Sequence, residues 1–249
     1  MYVKKYGTGN DVIVALHGWG GDHRTVEPLE KFRPASYRIV SIDLPGYGSS
    51  PAPSSWTMES VAEEIAETLA AENISRCTLL GNCSGAVTGM YLAQLLPSSI
   101  ERCIFVDMFA YVPWYFKIFL LGAFGRRAYR ITFATSAGRS MTNGALRTKR
   151  TAHTDLTASF KEIDHDVVYR YLQMMDRVGN IGRFNELRMP ITLVYGEKTF
   201  GAVKDSVALW KAVWPHAESV QLAGAGHLPI EEATEQLARI VFLRKEDRP

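Results

Sequence analysis

Leu79-Leu80-Gly81-Asn82-Cys83-Ser84-Gly85-Ala86 decides how this 249-residue chain folds. Cys77 to Leu80 is a short apolar run, the pattern of a buried strand, and it breaks at Gly81. From Ser84 to Leu96 the apolar spacing turns helical, with Val87, Met90, Tyr91, Gln94 and Leu95 in step. A strand that passes straight into a helix makes a tight, strained bend, and the residue at the apex is thrown clear of the sheet. The positions two before and two after that apex have almost no room, so both must be small. Here they are Gly81 and Gly85, and the apex is Cys83. The bend also aims the first free amides of the helix at whatever sits on Cys83, and those amides favour negative charge.

Outward from this bend, strand and helix patterns alternate. Tyr2–Tyr6 and Asp11–Leu16 read as strands around the turn Gly7-Thr8-Gly9-Asn10. Val12 to Leu16 is continuously apolar, as in a strand covered on both faces. It ends in His17-Gly18-Trp19-Gly20-Gly21, a glycine-rich loop whose backbone amides can approach a ligand closely. A helix over Thr25–Phe32 and a strand over Tyr37–Ile42 follow. Asp43, between that strand and a Pro-Gly turn, suits turn capping better than catalysis. Thr57 opens a helix to about Glu72, with Ser60/Glu63 at capping-box spacing. Arg102–Val106 is a buried strand ending at Asp107. After a long interval the alternation resumes: strand Ile191–Tyr195, helix Val203–Trp214, strand Ser219–Leu222, then a closing amphipathic helix from Ile230 to about Arg244.

The interval, residues 108–184, is aromatic and helical without strand patterning. It carries twelve Lys and Arg against five Asp and Glu, a charge of +7 that leaves −5 for the rest of a chain with net charge +2. The expected organisation is a sheet domain of residues 1–107 and 185–249 with a helical lid, 108–184, inserted into it. A hydrophobic content of 47% and a charged content of 22% fit an ordinary globule with a sizeable core. The chain start lacks the apolar centre of a signal peptide. No stretch approaches the about 18 apolar residues of a membrane span. The three cysteines, Cys77, Cys83 and Cys103, have neither metal-ligand spacing nor a disulfide framework, so no metal and a reduced, cytoplasmic setting are expected.

The G-x-C-x-G bend is a cysteine form of the G-x-S-x-G nucleophile elbow. Together with His17–Gly21, Asp43–Ser50 and Gly224-Ala225-Gly226-His227, it resembles the α/β-hydrolase superfamily over roughly residues 10–107 and 188–245. The Trp19 loop and the chain length are similar to those of pimeloyl-carrier-protein methyl ester esterases and related carbon–carbon-bond hydrolases. The resemblance implies an α/β fold, a mostly parallel sheet with helices on both faces. It also implies a nucleophile, a base and an orienting carboxylate. Cys83 stands where the family has serine, and a thiol is the better nucleophile because part of it ionises near neutral pH. Ser84 lies past the apex and is no substitute. His227 stands where the family places its base. His17 supports the oxyanion loop in the family, and the amides of Trp19 and Ser84 are the implied oxyanion donors.

The carboxylate departs from the pattern. Many members carry an aspartate three residues after the glycine that ends the strand at Gly196, and here that residue is Thr199. Asp107, in Phe105-Val106-Asp107-Met108-Phe109, matches the displaced acid of some haloalkane dehalogenases; Asp205 is the fallback. The expected function is hydrolysis of acyl esters or thioesters through an acyl-enzyme, without a cofactor. Acyl transfer, carbon–carbon-bond hydrolysis and non-catalytic binding are the alternatives. The expected partner is a small acyl substrate, either free or linked to acyl carrier protein or coenzyme A, with no nucleic acid. Phe109, Tyr111, Trp114, Tyr115, Phe116 and Phe119 either face that acyl group or form the lid's own core. Between Met108 and Thr154 there is no Asp or Glu but eight Lys and Arg, a positive run suited to an acidic carrier or to coenzyme A phosphates.

Overall fold

A computed structural model of the chain describes residues 1–242. Seven strands form one sheet in these residues: β1 (Val3–Tyr6), β2 (Asp11–Leu16), β3 (Tyr37–Ile42), β4 (Cys77–Asn82), β5 (Ile100–Val106), β6 (Ile191–Gly196) and β7 (Glu218–Leu222). Their order is β1-β3-β2-β4-β5-β6-β7. Every pairing is parallel except that of β1, which runs antiparallel against β3, not against its sequence neighbour β2. The strands read as continuous apolar runs because both faces are buried. Val14, Leu16, Leu79 and Phe105 face one hydrophobic core, while Ile13, Ala15, Leu80 and Ile104 face the other.

The helices that cover the sheet are α1 (Met58–Ala71), α2 (Ser84–Leu95), α3 (Trp114–Lys117), α4 (Gly122–Tyr129), α5 (Ser136–Ala145), α6 (His165–Asp176), α7 (Gly201–Val213), α8 (Pro229–Glu232) and α9 (Thr234–Phe242). His23–Phe32 is a 3₁₀ helix with Pro28 inside it. Thr57 caps α1 by accepting the Ser60 amide at 3.2 Å, so Ser60 already lies in the first turn and its spacing to Glu63 makes no capping box. Helix α2 is buried from Ser84 to Ala93 and has no single apolar stripe. It is enclosed by the sheet and α1, and Gln94 and Leu95 emerge at its exposed end. The closing helix is split at Ala233 into α8 and α9. Leu243 and Arg244, to which it was expected to extend, lie outside the described residues.

Residues 108–190 leave the sheet after β5 and return at β6, carrying α3 to α6 and short 3₁₀ and π turns. This insertion is anchored at several points. The Tyr171 hydroxyl donates to the Pro45 carbonyl at 3.0 Å, and Trp214 Nε1 donates to the Phe184 carbonyl at 2.8 Å. No helix among the described residues is long and apolar enough to cross a membrane.

The chain passes from β2 outward to β3 and then returns to β4 on the other side of β2. The loops after β2 and β4 therefore diverge at a topological switch point, where open α/β sheets form their ligand crevice.

Candidate active site

The bend after β4 holds Cys83 at φ 50°, ψ −113°, a region that costs a non-glycine residue about 1–3 kcal/mol. Close packing enforces it. A Cβ on Gly81 would lie 2.5 Å from the Ala86 Cα, and one on Gly85 would lie 2.3 Å from the His17 carbonyl oxygen. The Cys83 amide donates to the Val106 carbonyl at 2.8 Å, tying the apex to β5. Glycine would adopt this backbone without strain. Cys83→Gly is accordingly expected to be more stable than Cys83→Ala by about 1 kcal/mol. Denaturant melts of the two thiol-free variants measure the difference, and equal midpoints would mean an unstrained bend.

The glycine-rich loop after β2 closes on the same point. A Cβ on Gly18 would lie 3.1 Å from the Cys83 Cβ, so any side chain there would crowd the apex that glycine lets the loop approach. Among the described residues the backbone amides of Trp19 and Ser84 have no hydrogen-bond partner. The Trp19 side chain turns away from the sheet: Nε1 donates to the Val168 carbonyl at 2.8 Å, and the ring meets Phe116, Phe133 and Phe160 edge-on. His17 fixes the loop from beneath. It is buried, its Nε2 accepts the Leu44 amide at 3.0 Å, and its Nδ1 donates to the Gly18 carbonyl at 2.9 Å. Burial lowers its pKa, which suits a neutral ring with both nitrogens engaged.

His227 follows β7, and its amide donates to the Lys149 carbonyl at 2.8 Å. Its Nδ1 lies 2.7 Å from Asp107 Oδ2. Asp107 is fully buried at a φ of 47° and also accepts the Gly196 amide at 3.0 Å. Thr199 donates its hydroxyl to the same Oδ2 and lies 3.2 Å from His227 Nδ1. With Nδ1 taken by Asp107, Nε2 is the ring nitrogen left for the cavity, whose wall His227 shares with Cys83. Burial opposes a charge on this imidazole, but the Asp107 and Cys83 side chains outweigh it and push its pKa up to about 10. Asp205 is on α7, exposed to solvent.

Asp43 is buried in its own turn. It accepts the His23 amide at 2.7 Å, the His23 ring Nδ1 at 2.8 Å and the Ser49 amide at 2.9 Å. Asp22, His23 and Asp43 are the group within mutual metal-ligating range among the described residues. Their donor atoms are already committed, since Arg24 holds both Asp22 oxygens.

Cys83 and His227 line a cavity of about 230 Å³. Most of its wall is apolar, with Phe109, Val112, Phe116, Leu172 and Met175 contributed by the insertion. Phe109 and Phe200 set their ring edges against His227. Tyr111 and Trp114 are exposed, and Phe119 packs on Phe116, Tyr129 and Phe133. The insertion's aromatic residues are thus divided among cavity, internal packing and surface. The carboxylates in the wall are Asp155 and Glu231. Burial, then Glu232, raises the pKa of Glu231.

Residues 13–240 match the alpha/beta hydrolase family. The chain belongs to this family. Among relatives of this α/β hydrolase, the pimeloyl-acyl-carrier-protein methyl ester esterase of Aeromonas salmonicida (strain A449) is 27% identical over 255 residues, 96% of each chain. RutD of Pantoea ananatis (strain LMG 20103), a candidate carbamate hydrolase by its name, is 33% identical over 112 residues, which span 43% of this chain and 41% of that protein. In fold, the α/β hydrolase is similar to the enol-lactonase of Burkholderia xenovorans LB400, at a TM-score of 0.78 and 18% identity over 96% of this chain and 94% of that one.

Sequence reasoning passed over one member of the site. Thr199 was weighed solely as a residue that cannot carry charge, yet its hydroxyl reaches the carboxylate supplied from elsewhere. Its position three residues past Gly196 was the available signal.

Proposed function

We propose that this α/β hydrolase cleaves acyl esters or thioesters with Cys83 as nucleophile, His227 as proton carrier and Asp107 as the carboxylate that orients it. The observation that carries the reading is that Cys83 shares the wall of one apolar cavity with His227, whose ring is held by Asp107. The Asp107 carboxylate beside His227 favours a charged imidazole, and the attacking species is the thiolate, as the chemistry of a cysteine nucleophile requires. The thiolate attacks the acyl carbon, and the carbonyl electron pair moves onto oxygen. The amides of Trp19 and Ser84 receive that oxyanion, each contributing about 3–4 kcal/mol. The bond to the leaving group breaks, and His227 Nε2 protonates the departing alcohol or thiol. In the acyl-enzyme Cys83 is a neutral thioester, so one cause of the raised His227 pKa is gone. The neutral imidazole then takes a proton from water, the resulting hydroxyl attacks the thioester, and the C–S bond breaks to restore the ion pair.

Residues 108–184 act as a lid over this chemistry, with residues 1–107 and 185–242 as the core; 243–249, assigned to the core by sequence, lie outside the described residues. A free thiolate calls for a reducing compartment, in keeping with the cytoplasmic setting expected from the sequence. The methyl ester esterase relatives support an ester of an apolar acyl chain, carrier-linked or free. The charges in the wall refine this. Asp155 and Glu231 are both acidic, and no Lys or Arg among the described residues lines the cavity. An acyl chain ending in a free carboxylate is therefore expected to react about ten-fold or more slowly than its methyl ester, through unfavourable like-charge desolvation. Paired assays of a dicarboxylate half-ester and its diester measure the ratio, and equal kcat/KM would remove the acidic wall from specificity.

Intact-mass spectrometry tests the central proposal. Protein mixed with p-nitrophenyl acyl esters and quenched early is expected to gain one acyl group on Cys83. Hydrolysis without any adduct, together with unchanged turnover after thiol alkylation, would end the cysteine mechanism.

A further inference from the structure

One face of the insertion is not used by the cavity. Pro113 and Phe116 of the α3 region face the cavity, while Trp114, Ile118 and Leu121 from the same stretch are exposed. Their spacing of four and then three residues puts them on one side of the turn. Phe124, Arg127 and Ile131 continue outward at i, i+3 and i+7 along α4 and the π turn that extends it. The 3₁₀ turn at Ile118–Leu120 packs on both α3 and α4 and joins the two exposed rows end to end in one helical hairpin segment. Trp114 is 75% exposed, Phe124 71%, Leu121 62% and Ile131 55%. Large apolar side chains standing this far out along a continuous run mark a surface that meets something other than water.

Charge indicates what it meets. Asp166 is shared by Arg126 and Arg130, at 2.9 and 3.5 Å, so that trio keeps a net positive charge. Lys117 pairs with Asp176. Arg127, between Phe124 and Ile131 on the exposed face, has no ion-pair partner among the described residues. The stretch from Met108 to Thr154 contributes no acid at all.

We propose that this hairpin docks on an anionic lipid surface. Trp114, Leu121, Phe124 and Ile131 enter the boundary between headgroups and acyl chains, and Arg127 lies among the phosphates. Exposed Trp and aliphatic side chains flanked by arginine suit a bilayer interface. The side chains protrude, and a fluid bilayer accommodates protrusions that a protein partner could receive only in matching pockets. Docking would bring the cavity wall formed by Pro113 and Phe116 close to the membrane, where apolar acyl compounds concentrate. The proposal goes beyond the hydrolase reading and does not depend on it, because binding can be measured with no reaction.

Co-sedimentation with vesicles of non-hydrolysable diether lipids tests it. The protein is expected to bind equimolar phosphatidylcholine and phosphatidylglycerol at low salt, and about ten-fold more weakly to phosphatidylcholine alone or in high salt. Combined Trp114→Ser, Leu121→Ser and Phe124→Ser should lower binding by about ten-fold or more. Arg127→Glu should remove the preference for phosphatidylglycerol. Because these side chains are exposed and outside the cavity wall, both variants should melt and hydrolyse a small soluble ester as the parent does. No vesicle binding by the parent, or binding that both variants leave unchanged, overturns the proposal. So does Arg127-dependent capture of an acidic acyl carrier protein with no affinity for vesicles, which would make the face a protein-docking surface. Loss of the cysteine mechanism would leave the vesicle result standing.

Discussion

Cys83→Ala is expected to abolish both turnover and acyl labelling, while Cys77→Ala and Cys103→Ala should remain active and labelled. Three thiols are present, and the fold separates them sharply. Cys77 and Cys103 are buried in the sheet. Burial pushes the Cys77 thiol up to about 12 and raises Cys103 as well, so neither supplies thiolate at neutral pH. Cys83 alone among them lies in the cavity wall, together with His227. Removing a nucleophile costs about 10³–10⁶ in kcat, because the base and oxyanion donors then have no covalent step to assist. Alanine keeps the backbone of the bend, so circular dichroism and melting should be near those of the parent. Full activity in Cys83→Ala, or labelling that persists at another cysteine, would refute the assignment.

Asp107→Asn is expected to lower kcat/KM by about 10²–10⁴ with the fold intact. The substitution is chosen for its backbone. Asp107 sits at φ 47°, in the left-handed region that asparagine tolerates well. The Asn oxygen can still accept the Gly196 amide. Its NH₂ group then faces His227 Nδ1, which must become the acceptor, so the imidazolium that delivers a proton to the leaving group is disfavoured. The His227 pKa should fall from its raised value near 10, and NMR of the imidazole would follow it. Stability gives an independent reading. A folded-state pKa above the unfolded value near 6.5 contributes stability that is complete below about pH 6.5 and lost as pH rises through about 10. The stability gap between the parent and Asp107→Asn should therefore narrow across that window. Thr199→Val, which removes only the hydroxyl donated to Asp107, should lower kcat more mildly and shift the pH profile in the same direction. If Asp205→Asn depresses the rate and Asp107→Asn does not, the carboxylate has been misassigned.

The sequence by itself determined whatever depends on local sterics and periodicity. A tight bend tolerates only small residues two positions away, so Gly81 and Gly85 marked Cys83 as its apex. Strands buried on both faces must be continuously apolar, so Val12–Leu16 and Cys77–Leu80 were legible as central, and the residues just beyond strands, Asp107 and His227, were legible as candidates. The split of the closing helix at Ala233 and the Thr57 cap shifted only boundaries.

Tertiary structure alone decided which distant groups meet. Val106 lies opposite Val194 across β5 and β6, and Gly196 lies opposite Leu222 across β6 and β7. That register brings Asp107, Gly196, Thr199 and the His227 loop to one place and leaves Asp205 a helix turn away in solvent. It also gave Thr199 a partner that no spacing rule could name. The insertion's aromatic and basic residues were equally undecided in sequence, because a one-sided short helix does not say whether its apolar face meets the cavity, a neighbouring helix or solvent. Only packing assigned Phe109 and Phe116 to the cavity, Phe119 to internal contacts and Trp114 to the surface. Local patterns fix which way a side chain faces relative to its own element. The contacts from Asp107 to Gly196, Thr199 and His227 span 89 to 120 residues and are fixed by strand register, which no single stretch of the chain encodes.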